Sequence, residues 1–248
     1  MPVLQETHGG LSVAVVPEAD SSLKTPAGLV VCCHGYGAGG DDLVPLAEEL
    51  RRIDRRFAGV RFAFPAAPLD LTPLGLYGGR AWWPIDMARL QMAAATGRLR
   101  DLRNEHPETL EAVTEQLANC LRSLLADAGL PAGKSVVAGF SQGAMVTTSL
   151  ALAASTEESP AGLCLFSPTF LAADTWTERI AARGPLPTYI AHGTGDPVLP
   201  FELAEELAEA MTAADWPVEF ERFQGGHTID RGCLVNAAEK VAAWLGLG

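Results

Sequence analysis

The stretch that most constrains the fold is Gly139-Phe140-Ser141-Gln142-Gly143. Ahead of it, Ser135-Val136-Val137-Ala138 is apolar, β-branched and of strand length; behind it, Ala144 to Leu152 reads as a buried helix. A chain that passes from strand to helix within two residues must hold the turning residue in a strained conformation with its side chain thrown outward. Glycines two before and two after remove the Cβ atoms that would collide there. A serine at such a turn presents an exposed hydroxyl at the start of a helix, whose free N–H groups face any negative charge that builds up beside it. With 25 glycines in 248 residues, G-x-S-x-G also arises by chance. A chance match usually lands in a loop, whereas this one lands between a strand and a helix.

Around this turn, strands alternate with helices. The apolar pattern predicts strands over Leu11–Val16, Leu29–Cys33, Val60–Phe64, Gly162–Phe166, Thr188–Ala191 and Val218–Phe223. Helices are expected from Asp41 and Asp42 through about Ile53, then over Thr109–Ala126, Phe201–Met211 and Cys233–Leu245. Leu29 to Cys33 is continuously apolar, as a strand covered on both faces requires. The alternation implies a mostly parallel central sheet with helices on both faces, in one domain over 1–248. Residues 66 to 108 fit neither a strand nor one clean helix. They contain Tyr77, Trp82 and Trp83, which argue against disorder, and are read as a substrate-covering insertion; a satellite core cluster is the competing reading.

The net charge of −12 disfavours phosphate backbones and anionic surfaces, so no nucleic-acid partner is expected. No apolar run approaches the length of a membrane span, and no basic-then-apolar leader precedes Leu11, so stable membrane insertion is not expected. None of the five cysteines forms a C-x-x-C pair. They are read as reduced, in a cytoplasmic protein without structural zinc.

In a sheet of this kind, ligands bind beyond the carboxyl ends of the strands. Four predicted strand ends carry chemistry: His34-Gly35-Tyr36-Gly37, Ser141, Asp196 and His227. The glycine cluster at 35–40 lacks the Lys-Ser/Thr ending of a phosphate loop and suits an oxyanion loop better. The chain order Ser, Asp, His is that of the α/β-hydrolase fold. Of five histidines, His227 alone follows both the serine and Asp196 in that order. Asp230 is the alternative acid, although close in sequence to the histidine.

Gly139 to Gly143, His192-Gly193-Thr194-Gly195-Asp196-Pro197-Val198-Leu199-Pro200 and Gly225-Gly226-His227-Thr228-Ile229 together resemble the phospholipase/carboxylesterase family, which includes acyl-protein thioesterases. The H-G-x-G loop and Ala81-Trp82-Trp83 are similar too, and the resemblance runs from about Leu29 to the end of the chain. It implies a serine hydrolase of carboxylic esters or thioesters, with Ser141, Asp196 and His227 catalytic and no metal or organic cofactor. On this pattern the backbone N–H groups of Gln142 and Tyr36 form the oxyanion hole. The substrate expected is a small ester or thioester with an apolar acyl group. Leu74, Leu76, Tyr77, Trp82 and Trp83 are expected to wall the acyl site within residues 74 to 90, with Phe170 and Leu171 opposite; plugging of the core by both tryptophans is the opposing reading. Two other functions remain open. One is the same triad acting on a lactone or small amide; the other is a weakly catalytic hydrolase-like ligand-binding protein.

Overall fold

The computed structural model describes residues 2–20, 22–85 and 101–248. Among the described residues there are ten strands: β1 (Leu4–His8), β2 (Leu11–Val16), β3 (Gly28–Cys33), β4 (Val60–Pro65), β5 (Leu69–Asp70), β6 (Arg80–Ala81), β7 (Ser135–Phe140), β8 (Gly162–Phe166), β9 (Thr188–Gly193) and β10 (Val218–Phe223). The α-helices among the described residues are α1 (Pro45–Ile53), α2 (Leu110–Ala128), α3 (Gln142–Ala153), α4 (Ala173–Arg183), α5 (Phe201–Ala213) and α6 (Arg231–Leu245). Eight strands form one sheet in the order β1-β2-β4-β3-β7-β8-β9-β10, and β5 pairs with β6 apart from it. The β1/β2 and β2/β4 pairs are antiparallel; every pair from β4/β3 to β9/β10 is parallel. This is the expected α/β-hydrolase architecture.

The period-two alternation of the central strands divides the core. Leu29, Val31 and Cys33 of β3 and Val137 of β7 join a cluster with residues of α2, α3, α4 and α5. Val30, Cys32, Val136 and Ala138 point the other way, into a cluster with α1 and α6. Both faces of the sheet are therefore covered, which is why these strands read as unbroken apolar runs. α3 is buried from Gln142 to Leu152, with no polar face of its own.

Connections leaving β3 go first to β4 on one side, whereas β7 lies on the other. The carboxyl ends of β3 and β7 thus border the crevice at which the winding of the sheet reverses, the place where such sheets bind ligands.

Several elements depart from the sequence expectation. β1 was not foreseen; it is an exposed edge strand, and its residues lack a buried stripe. α1 starts at Pro45, later than Asp41, because proline at the first helical position has no N–H to leave unsatisfied. α6 starts two residues earlier than expected, capped by Asp230. Residues 66–85, expected to hold no strand, contain the β5/β6 pair, whose two-residue strands are too short to show periodicity.

Candidate active site

Ser141 follows β7 directly and has φ 56 and ψ −120, a conformation uncommon for a residue with a side chain. Its N–H donates to the Phe166 carbonyl at the end of β8 (2.9 Å). The two flanking glycines are required by contact. A Cβ on Gly139 would lie 2.3 Å from Gly143, and one on Gly143 would lie 2.0 Å from the Cys33 carbonyl oxygen. The second contact draws the start of α3 against the end of β3, so the serine and the His34–Tyr36 loop share one rim.

The loop is braced from within. The Ala67 N–H donates to His34 Nε2 (3.0 Å), which leaves His34 Nδ1 to donate to the Gly35 carbonyl (2.8 Å). Burial lowers the basicity of this imidazole, and it stays neutral in a structural role. The indole N–H of Trp82 donates to the His34 carbonyl (2.9 Å). The Gly37 N–H donates to the Arg80 carbonyl (2.9 Å) and the Arg80 N–H to the Ala38 carbonyl (3.0 Å), so β6 supports the loop from outside.

Three side chains that the sequence places 31 and 86 residues apart meet here. His227 Nε2 lies 2.8 Å from Ser141 Oγ, and His227 Nδ1 lies 2.6 Å from Asp196 Oδ2. The Phe140 ring packs 4.8 Å from the His227 ring. Asp196 Oδ1 accepts from the N–H groups of Val198 (2.7 Å) and Leu199 (3.0 Å). Burial works to raise the pKa of Asp196. Hydrogen bonds from His192 and His227, together with the Leu199 N–H, overcome it and hold the carboxyl well below the usual carboxylate range. Asp230, the alternative acid, instead accepts from the N–H groups of Gly232 (2.7 Å) and Cys233 (3.2 Å) as the cap of α6.

A cavity of 170 Å³ opens at Ser141. Among the described residues it is lined by Tyr36, Trp83, Ile85, Leu102, Gln142, Met145, Val198, Leu199 and His227. The expected wall residues distribute unevenly. Trp83 borders the cavity, whereas Trp82 is buried beside it against His34. Leu74, Leu76 and Tyr77 sit on the β5–β6 connection with 66%, 40% and 87% exposure and do not line the cavity. An apolar composition cannot distinguish a wall from a solvent-facing turn. Phe170 and Leu171 pack into the core with Trp176 and are not among the described residues that line the cavity. The part of the expected wall at 86–90 lies outside the described residues. A larger groove of 490 Å³ runs between α2 and α3, lined by residues such as Thr114, Leu121, Ser149 and Leu150, and among the described residues it shares none with the strand-end cavity.

Sequence reasoning did not single out Met145, Leu199 or Ile85. Met145 was within reach, since it lies four residues beyond Ser141 on α3 and so one turn along the same helix face. Among the described residues, no group of three histidine, cysteine, aspartate or glutamate side chains is arranged to hold a metal ion, and no helix is long and apolar enough to cross a membrane.

The phospholipase/carboxylesterase family model matches residues 15–245. The chain belongs to this family. It is a serine hydrolase of the esterase/thioesterase type. Acyl-protein thioesterase 1 of Yarrowia lipolytica is 31% identical over 180 residues, spanning 70% of this chain and 71% of the relative. The protein of the same name from Gibberella zeae is 25% identical over 229 residues, 90% and 91% of the two chains. Among solved structures, that of esterase PE8 is similar, with a TM-score of 0.76 and 26% identity over 94% of this chain and 98% of that one. A Bacillus cereus carboxylesterase shares the fold, at a TM-score of 0.65 and 20% identity.

Proposed function

We propose that this family member cleaves small carboxylic esters or thioesters with an apolar acyl group by a Ser141–His227–Asp196 triad. The observation that carries the reading is the continuous chain of contacts from Asp196 Oδ2 through both ring nitrogens of His227 to Ser141 Oγ. With Nδ1–H donated to the carboxylate, Nε2 is left as the acceptor facing the serine hydroxyl. His227 removes the proton as Ser141 Oγ attacks the carbonyl carbon. The imidazolium formed is stabilised by Asp196 and then delivers the proton to the departing alkoxide or thiolate. Water, deprotonated by the same nitrogen, attacks the acyl-serine. The carboxylic acid leaves and the serine is restored.

The tetrahedral oxygen is held by the N–H of Gln142, which opens α3 and has no intrahelical acceptor, and by the N–H of Tyr36 on the braced loop. The acyl group lies against Trp83, Met145 and Leu199. A 170 Å³ cavity is small beside pockets of about 300 Å³ or more that take drug-sized ligands. Short acyl chains are therefore the favoured substrates. The five buried thiols suit a reducing compartment such as the cytoplasm.

The experiment is labelling by a fluorophosphonate probe, with Ser141→Ala as control, followed by kcat/KM across p-nitrophenyl esters and acyl thioesters of graded chain length. Labelling that survives Ser141→Ala overturns the nucleophile assignment. A kcat/KM that climbs steadily to long chains overturns the assignment of the acyl site.

A further inference from the structure

We propose that His192 is a positioning residue, a second imidazole that donates to Asp196 and holds it in place for His227. The inference rests on the triad reading above. His192 lies in β9, is wholly buried, and is not part of the proton path. Its Nε2 is 3.3 Å from Asp196 Oδ2 and 3.3 Å from the Leu199 carbonyl oxygen. An ionised carboxylate and a carbonyl only accept, so Nε2 carries the hydrogen and shares it between them. Nδ1 has no hydrogen-bond partner and is left as a bare lone pair. A buried polar atom without a partner is unfavourable, and an apolar side chain would avoid it. The imidazole therefore serves through its other nitrogen.

The need for that nitrogen follows from Asp196. Its side chain is fully excluded from solvent, and a buried carboxylate must be satisfied by donors. Oδ1 has the Val198 and Leu199 N–H groups. Oδ2 would otherwise depend on His227 alone, the group that changes charge during turnover. His192 supplies a donor that does not take part. It also bonds the Leu199 carbonyl, tying the cavity-lining loop to the carboxylate it caps.

The surroundings hold the ring in one orientation. Phe201, the first residue of α5, meets the His192 ring at 82° with centroids 5.9 Å apart. Phe201 in turn carries the Arg222 guanidinium at 5.8 Å. The next residue is Gly193, where a Cβ would lie 2.5 Å from the Gly226 carbonyl oxygen. The end of β9 is thus pressed against the turn that delivers His227.

The tautomer is measured first, in the unaltered protein, by nitrogen-15 NMR of the histidine rings. A protonated Nε2 and bare Nδ1 are expected at His192; the opposite tautomer overturns the proposal. His192→Phe then keeps a buried ring and removes the donor, and His192→Gln keeps a donor near the Nε2 position. With rates referred to the fluorophosphonate-labelled fraction, kcat should fall about tenfold in His192→Phe with KM little changed, the size expected for one hydrogen bond to a charged group. His192→Gln should recover most of it. In an Asp196→Asn background His192→Phe should add less than about twofold, because both changes act on one carboxylate. Equal losses in the Phe and Gln variants, or full additivity with Asp196→Asn, overturn the positioning role. If the unaltered protein does not label, the proposed function fails, and a His192 ring protonated on Nδ1 still overturns the His192–Asp196 donor on its own.

Discussion

The side chain of Gln142 clamps the backbone of Trp82 and Trp83: its Oε1 accepts from the Trp82 N–H and its Nε2 donates to the Trp83 carbonyl, both at 2.9 Å and both buried. The residue beside Ser141 therefore fixes the segment that borders the cavity. Replacing it with methionine keeps the volume and leaves a donor and an acceptor orphaned. Gln142→Met should lower stability by about 2 kcal/mol or more, the cost of buried groups without partners. It should also flatten acyl-chain selectivity as Trp83 loosens. An unchanged melting temperature would show that the clamp carries no energy.

The two tryptophans divide between the core and the cavity wall. Trp82 is 1% exposed and bonds the His34 carbonyl; Trp83 is 4% exposed but borders the cavity. Trp82→Ala should cost about 3 to 5 kcal/mol, as large aromatic truncations in a core do. Trp83→Phe should retain most of the packing, enlarge the cavity, and raise kcat/KM for longer acyl chains relative to short ones. Denaturant titration and an ester panel separate these outcomes. Selectivity that follows Trp82 instead would reverse the assignment.

Ser141→Ala and His227→Ala should each reduce kcat by about 10⁴-fold or more, and the double variant should lose little further, because the residues act as a unit. The measurement is steady-state turnover of one activated ester in all three variants. Multiplicative losses would mean that the 2.8 Å contact between Nε2 and Oγ is not used in the reaction.

The parts of this arrangement that depend on backbone sterics were legible in the sequence. The strained serine needs glycines at 139 and 143, and their contacts with Gly143 and Cys33 leave room for no other residue. The central strands were legible because both of their faces are buried. α4 was not: its first turn has no capping side chain, and only Trp176 and Ile180 are buried along it. The approach of His192 Nε2 to Asp196 Oδ2 at 3.3 Å was also hidden. A histidine at the end of an apolar strand, four residues before the acid, has the same sequence pattern whether it bonds the acid or merely fills space. Nor does composition distinguish Trp83, which borders the cavity, from Tyr77, which faces solvent.

Asp196 and Asp230 give the last prediction, because each carboxylate has a different task. Asp196 contacts His227, and its pKa is depressed in the folded protein by hydrogen bonds that outweigh burial. A depressed folded value means stability that is fully present above the unfolded value of about 3.9 and lost as pH falls through the folded one. The difference in urea midpoint between wild type and Asp196→Asn should therefore be constant near neutrality. It should shrink as the pH is lowered below about 4. Asp196→Asn should also cut kcat severely, since an amide can favour the wrong tautomer of His227. Asp230→Ala should behave differently. It removes the α6 cap, so stability should fall by about 1 kcal/mol, while kcat and KM stay at wild-type values. Loss of turnover in Asp230→Ala with an active Asp196→Asn would move the acid of the triad to position 230.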